Sequence, residues 1–69
     1  MSKGMLKDIV CIMDATKNTN DDYLLRIGDY LENSFYNFNV SKNKEEKKKF
    51  LDCITRCVDN YNKYSASLN

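Results

Sequence analysis

Helix-breaking residues are nearly absent from this chain, which has 69 residues, no proline and only two glycines. Proline removes a backbone donor and glycine weakens a helix interior, so their scarcity leaves long stretches free to be helical. No segment alternates apolar and polar residues with a period of two, and no Asn-Gly or Asp-Gly pair marks a hairpin. Apolar residues instead recur every three or four positions in three segments. The sequence therefore predicts an all-α fold.

The three segments predict a small three-helix bundle, in which a short N-terminal helix packs against a helical hairpin with a long C-terminal helix. The predicted helices cover about residues 3–16, 21–38 and 42–64, and the tail, residues 65–69, is expected to fray. A chain of this length forms a single domain, residues 1–69. Residues that commonly cap helices precede the three segments: Ser2, then Thr19 or Asn20, then Ser41 or Asn43.

Gly28 lies inside the second segment, between Leu24 and Leu31 on its apolar side. A glycine in a helix interior costs about 1 kcal/mol relative to alanine. We attribute its presence to a steric need, because another helix can approach closely where a side chain is missing. Tyr23 and Tyr30 are expected to widen the same apolar stripe.

The third segment carries a heptad seam, with alternating steps of four and three residues. The seam consists of Phe50, Ile54, Cys57, Tyr61, Tyr64 and Leu68. We expect the contacts between helices to be made by Gly28, Phe50, Ile54 and Cys57. At about 1.5 Å per residue the third helix is about 33 Å long, against about 20 and 27 Å for the other two. Because the longest helix would overhang its neighbours, we expect a second copy to cover the seam in a homodimer or a higher homo-oligomer.

The composition is that of a globular protein, with 42% hydrophobic and 30% charged residues. No apolar run approaches the ~20 residues that span a bilayer, and the short IVCIM run near the N-terminus does not resemble a signal peptide. We therefore expect a cytoplasmic protein that does not bind a membrane. Residues with A/T-rich codons are abundant, with nine Asn and nine Lys against two Arg. This bias is typical of phages, other mobile elements and low-GC bacteria. A phage source would place the protein in the host cytosol.

Three cysteines are an odd number, which favours reduced thiols over a disulfide framework. Cys53 and Cys57 are four residues apart, so they share one side of the third helix. A closed zinc site needs about four ligands, and this chain offers no histidine and only Cys11 besides this pair. We expect buried apolar cysteines, no structural metal and no cofactor. The alternatives are a disulfide between helices and a metal site completed by a carboxylate or a second chain.

The missing histidine also bears on catalysis, because histidine is the usual general base near neutral pH. The sequence shows no GxSxG motif, no pairing of a nucleophile with a base and no phosphate-binding glycine loop. Three short helices rarely enclose a substrate pocket of ~300 Å³. We therefore do not expect an enzyme.

Residues 42–49 form a charged run of five lysines and two glutamates. Arms that bind nucleic acid are usually richer in cationic residues and exclude carboxylates, and the net charge of the chain is only +1. We interpret the run as a solvated helix start, with a patch for a protein or for nucleic acid as the alternatives. Charge is uneven along the chain, at −2 over residues 1–40 and +3 over residues 41–69. Such complementarity favours particular orientations between helices or copies.

Eight aromatic residues, five Tyr and three Phe, are many for so small a core. Tyrosine is favoured at protein interfaces because its hydroxyl tolerates water. The residues that we expect to bind a partner are Tyr36, Tyr61, Tyr64, Lys47 and Lys48. The alternative is that the tyrosines lie at the rim of the core. We predict a non-enzymatic interaction module that binds another protein and blocks or redirects it, such as a phage or mobile-element inhibitor of host machinery. The alternative is an oligomeric helical binder of nucleic acid or small nucleotides that uses the lysine run and the tyrosines.

Overall fold

A computed structural model describes residues 1–68 and contains three helices: α1 (Lys3–Lys17), α2 (Asp22–Val40) and α3 (Lys44–Leu68). These helices hold 87% of the described residues, and no strand occurs among them. The prediction of an all-α fold with three helices is therefore confirmed. The bundle measures 38 × 19 × 16 Å along its principal axes.

The helical hairpin of α2 and α3 is the largest packing unit of the bundle. The two helices run antiparallel, since Lys47 at the start of α3 contacts Phe38 near the end of α2, and Tyr64 contacts Tyr23 at its beginning. Helix α1 packs against both, and more extensively against α2. Its short connection to α2, residues 18–21, is typical of antiparallel neighbours.

Local hydrogen bonds fix the first two helix starts. The Ser2 hydroxyl accepts a bond from the backbone N–H of Met5, as its sequence position predicts. At α2 the cap is Asp21, whose carboxylate accepts from the N–H groups of Tyr23 and Leu24. The expectation of Thr19 or Asn20 as the cap is wrong by one or two residues. The Thr19 hydroxyl instead accepts a hydrogen bond from the N–H of Asp21, which holds the connection between α1 and α2 just before the cap.

The start of α3 uses both of its predicted capping residues. The Asn43 side chain accepts from the N–H of Glu45 at 2.8 Å. The Ser41 hydroxyl donates to the Glu46 carboxylate at 3.2 Å. Glu45 and Glu46 occupy the first turn, where the positive end of the helix dipole favours negative charge.

The core is a single apolar cluster to which all three helices contribute. Ile9 of α1, Leu31 of α2 and Ile54 of α3 have no exposed surface. The other buried apolar residues are Ile12, Ile27, Cys57 and Val58, and the half-buried residues packed against them are Met5, Met13, Leu24, Phe35, Phe38 and Tyr61. Burial of such side chains contributes about 1.5–3 kcal/mol each, and this contribution is the main force that holds the helices together.

The expectation that the seam of α3 would remain uncovered is wrong for all but its last residue. Ile54 and Cys57 are buried within the single chain, Phe50, Tyr61 and Tyr64 are half-buried, and Leu68 is exposed. Side chains of α1 and α2 cover Ile54, Cys57 and Tyr61 in and around the core cluster. Self-association stays a prediction, but it no longer follows from this seam.

Helix α3 also continues beyond its predicted end, to Leu68. The expected fraying of the tail stays a prediction, and Asn69 lies outside the described residues. Tyr64 is fixed by contacts with the start of α2, and the Ser67 hydroxyl donates to the carbonyl oxygen of Tyr64 at 2.7 Å. These contacts support a last helical turn that sequence composition alone does not favour.

Gly28 is buried where α2 meets α1, and Thr16 of α1 lies directly against it. A Cβ atom at position 28 would lie 2.9 Å from the Thr16 Cβ and closer still to the Thr16 hydroxyl oxygen. The same hydroxyl donates to the carbonyl oxygen of Ile12 at 2.9 Å, which holds the Thr16 side chain in place. The two helices meet at a point where α2 has no room for a side chain.

Candidate protein-binding surface

A groove of about 320 Å³ runs between α2 and α3. We call it the tyrosine–arginine groove, and it is lined by Tyr23, Arg26, Ile27, Tyr30, Cys53, Arg56, Cys57 and Asn60. On each helix these residues follow steps of one, three or four, so each set lies on one side of its helix. The antiparallel arrangement of α2 and α3 places the two sets opposite each other.

The floor of this groove is apolar and its walls are aromatic and cationic. Ile27 and Cys57 are buried at the bottom, whereas the Tyr30 side chain is 69% exposed. Arg26 and Arg56 are exposed, and they are the only arginines in the chain. Within residues 1–68 neither arginine forms an ion pair, so both guanidinium groups are free to bind a partner.

Tyr64 lies beyond one end of the groove, next to Tyr23 of its lining. Its ring lies against that of Tyr23, with 4.6 Å between the ring centroids and an angle of 50° between the planes. Its hydroxyl donates a hydrogen bond to the carboxylate of Asp21. This bond lowers the pKa of Asp21, and the N–H groups of Tyr23 and Leu24 act in the same direction. The pKa of Tyr64 is raised, first by the bond to Asp21 and then by desolvation.

We expect the change Tyr64→Phe to raise the pKa of Asp21 toward its ordinary value, because the phenyl ring keeps the packing but cannot donate. In the wild type the pKa of Asp21 is lower in the folded chain than in the unfolded chain. The stabilisation from this bond is therefore lost as the pH falls below about 4. The pKa of Tyr64 is higher in the folded chain than in the unfolded chain, so the same stabilisation is also lost as the pH rises above about 10. Titration of the Asp21 carboxyl by NMR measures the pKa. Tyr61→Phe is the control that should leave it unchanged, and an unaltered Asp21 pKa in Tyr64→Phe would contradict the bond.

The cysteines of the groove are free thiols. Burial raises the pKa of Cys57, and the neighbouring Cys53 adds to the effect. Cys57 is therefore protonated at neutral pH and is a poor nucleophile or metal ligand in this state. Among residues 1–68 no group of three or more His, Cys, Asp or Glu side chains is placed to hold a metal ion.

The five residues expected to bind a partner do not form one surface. Tyr36 is 66% exposed on α2, Tyr61 packs against the core, and Tyr64 lies beyond one end of the groove. Lys48 is exposed near the start of α3. At about 1.5 Å per residue, Lys47 and Tyr64 are about 25 Å apart along the axis of α3.

Lys47 contacts the end of α2. Its ammonium group donates to the carbonyl oxygen of Phe38 at 3.0 Å and lies 4.7 Å from the centre of the Phe38 ring. The last carbonyls of a helix lack partners within the helix, and a lysine at this position satisfies one of them. These contacts bind Lys47 to its own chain and leave less of it available to a partner.

The residues of the groove that sequence reasoning missed are Arg26, Arg56 and Tyr30. Tyr30 was expected to widen the apolar stripe of α2, but it points away from the core and is exposed. Two signals were present in the sequence. The chain uses arginine only twice, and Tyr23, Arg26 and Tyr30 follow steps of three and four residues along one side of α2.

The chain matches no protein-family model, no curated protein and no solved structure. Within the part of the chain that the structure describes, no helix combines the length and the apolar character needed to cross a membrane. The groove and its charges are therefore the basis for a functional proposal.

Proposed function

We propose that this protein is a non-enzymatic interaction module that binds another protein through the tyrosine–arginine groove and thereby blocks or redirects it. The observation that carries the proposal is a pair of exposed arginines, without an ion-pair partner in residues 1–68, that stand beside exposed tyrosines. The floor below them is formed by Ile27 and Cys57. Small size and A/T-rich coding suit an inhibitor of host machinery from a phage or another mobile element, acting in the host cytosol.

The chemistry of the groove defines the kind of partner. Arginine and tyrosine are enriched among the residues that dominate binding energy at protein interfaces. Each guanidinium can form two parallel hydrogen bonds to a carboxylate, and a tyrosine ring offers apolar area with a polar tip. A segment that presents acidic side chains around an apolar one would match both the walls and the floor.

Tyr30→Ser is expected to reduce capture of the partner by about tenfold or more, as for a residue that dominates an interface. The matched control is Tyr36→Ser, since Tyr36 is almost equally exposed on the same helix and lies outside the groove. The tagged wild type and both variants would be compared in affinity capture from a native lysate, with quantitative mass spectrometry. A partner lost with Tyr36→Ser and kept with Tyr30→Ser would refute the groove and favour the surface first expected around Tyr36.

The contribution of charge can be tested separately. Changing both Arg26 and Arg56 to glutamine should weaken binding of the captured partner, whereas the same loss of charge at Lys48 and Lys49 should not. The alternative function makes the opposite prediction, because a binder of nucleic acid loses affinity when lysines of an exposed basic run are neutralised. It also requires affinity to fall steeply as salt rises, which a pull-down at two salt concentrations detects.

A further inference from the structure

A second groove, of about 520 Å³, lies between α1 and α2 and shares no residue with the tyrosine–arginine groove. We call it the acidic groove, and it is lined by Val10, Met13, Asp14, Thr16, Lys17, Leu25, Gly28, Asp29 and Glu32. Three carboxylates against one lysine give it net negative charge. The proposed function makes no use of this side of the molecule.

The acidic groove is bordered by aliphatic side chains that the single chain leaves in water. Val10 is 54% exposed, and Leu6 and Leu25 are also exposed. Leu6 and Val10 are one helical turn apart on α1, so they form a continuous apolar strip. An isolated exposed leucine is ordinary, but a strip of aliphatic side chains beside a groove is typical of an interaction site.

Charge changes sign along the face that α1 and α2 form together. Lys3 and Lys7 lie in the first half of α1. Beside the second half, the carboxylates of Asp14, Asp29 and Glu32 outnumber the single lysine, Lys17. A two-fold axis near the middle of α1 would place the basic half of each copy opposite the acidic groove of the other. A face whose charge reverses along its length is complementary to its own reversed copy.

We propose that this face is the interface of a homodimer in which two copies pack through α1 and α2, antiparallel across a two-fold axis. Leu6, Val10 and Leu25 lie at the centre of the interface. Lys3 and Lys7 of one copy pair with Asp14 and Asp29 of the other. This dimer differs from one formed through the seam of α3, where Ile54 and Cys57 are buried within each chain.

Two reversed-charge variants test the pairing. In the first, Lys3 and Lys7 become glutamate, so both halves of the face are acidic. In the second, Asp14 and Asp29 become lysine, so both halves are basic. The changes on α1 agree with its dipole, because glutamate enters a first turn that has no acidic residue and lysine enters the last turn. Both variants should therefore remain folded, which circular dichroism verifies.

The wild type should dimerise with rising concentration in sedimentation experiments at low salt. Each variant alone should form a homodimer whose dissociation constant is about tenfold higher or more than that of the wild type, because like charges then face each other at both ends of the interface. An equal mixture of the two variants should recover association, as heterodimers that native mass spectrometry distinguishes from homodimers by mass. A wild type that stays monomeric up to submillimolar concentration would overturn the proposal, and so would variants that dimerise as the wild type does.

A second pair of variants controls for attraction between oppositely charged molecules in general. Lys48 and Lys49 changed to glutamate in one, and Glu45 and Asp52 changed to lysine in the other, produce the same net charges on α3. If this pair forms heterodimers as tightly as the first pair, the face on α1 and α2 is refuted.

Leu6→Gln should weaken the wild-type dimer, whereas Leu68→Gln, at an exposed leucine outside the face, should not. Tyr30→Ser should leave the dimer intact, so failure here and failure of the proposed function are separable.

Discussion

Leu31→Ala should lower the free energy of unfolding by about 2–5 kcal/mol, the range measured when a fully buried leucine is truncated. Leu31 has no exposed surface and lies in the cluster shared by all three helices. Truncation removes its transfer free energy and leaves a cavity that neighbouring side chains fill only in part. For a domain of this size, with a total stability of about 5 kcal/mol, such a loss leaves a large unfolded fraction.

Urea titration followed by circular dichroism measures this loss. Leu68→Ala is the matched control, because it removes the same atoms from an exposed site at the end of α3. We expect the control to change stability by no more than about 0.5 kcal/mol. Equal losses in the two variants would show that Leu31 does not occupy the core as described.

Gly28→Ala should lower the free energy of unfolding by about 1–3 kcal/mol, as overpacking of a well-packed contact does. On helix propensity alone the same change would be stabilising by up to about 1 kcal/mol. Packing decides the sign, because the added methyl group would overlap Thr16, a short side chain that is buried and tied to the carbonyl oxygen of Ile12. This overlap is relieved only if α1 moves away from α2.

Gly4→Ala supplies the control for propensity. Within residues 1–68, no atom outside the adjacent residues and the backbone of α1 lies within 4 Å of a Cβ at this exposed position. This change should leave stability unchanged or raise it by less than about 1 kcal/mol.

In a Thr16→Ala background the loss of stability caused by Gly28→Ala should be smaller, because the nearest atom, the hydroxyl oxygen, is gone. A double-mutant cycle measures this coupling, which we expect at about 0.5 kcal/mol or more. A clear gain in stability for Gly28→Ala alone would contradict the close contact.

The fold was largely predictable because its signals are local. Three apolar stripes at helical spacing and the scarcity of breakers predict three helices, and their observed bounds differ by only a few residues from the predicted ones. The larger differences occur where a distant contact intervenes. The end of α3 extends past Tyr64 because that residue is held by Asp21 and Tyr23, which precede it by about forty residues in the sequence.

The candidate site was much less predictable, because exposure of an aromatic side chain depends on its neighbours in space. Tyr36 and Tyr61 were both expected to bind a partner, yet Tyr36 is exposed and Tyr61 packs against the core. Lys47 and Lys48 are adjacent in one charged run, yet Lys47 binds the end of α2 and Lys48 faces water. No rule based on spacing within a single helix separates the members of these pairs.

The sequence by itself determined the class of fold, the number of helices and the side of each helix that would be apolar, because helix periodicity and breaker content act within a few residues. Only the tertiary structure decided how each helix is rotated against its neighbours. That rotation buries Ile54 and Cys57 of α3 and presses Thr16 against Gly28. It also brings Arg26 and Arg56 to one groove and leaves Val10 in water. The physical reason is that packing is set by the fit of whole surfaces, with side chains from all three helices sharing one small core.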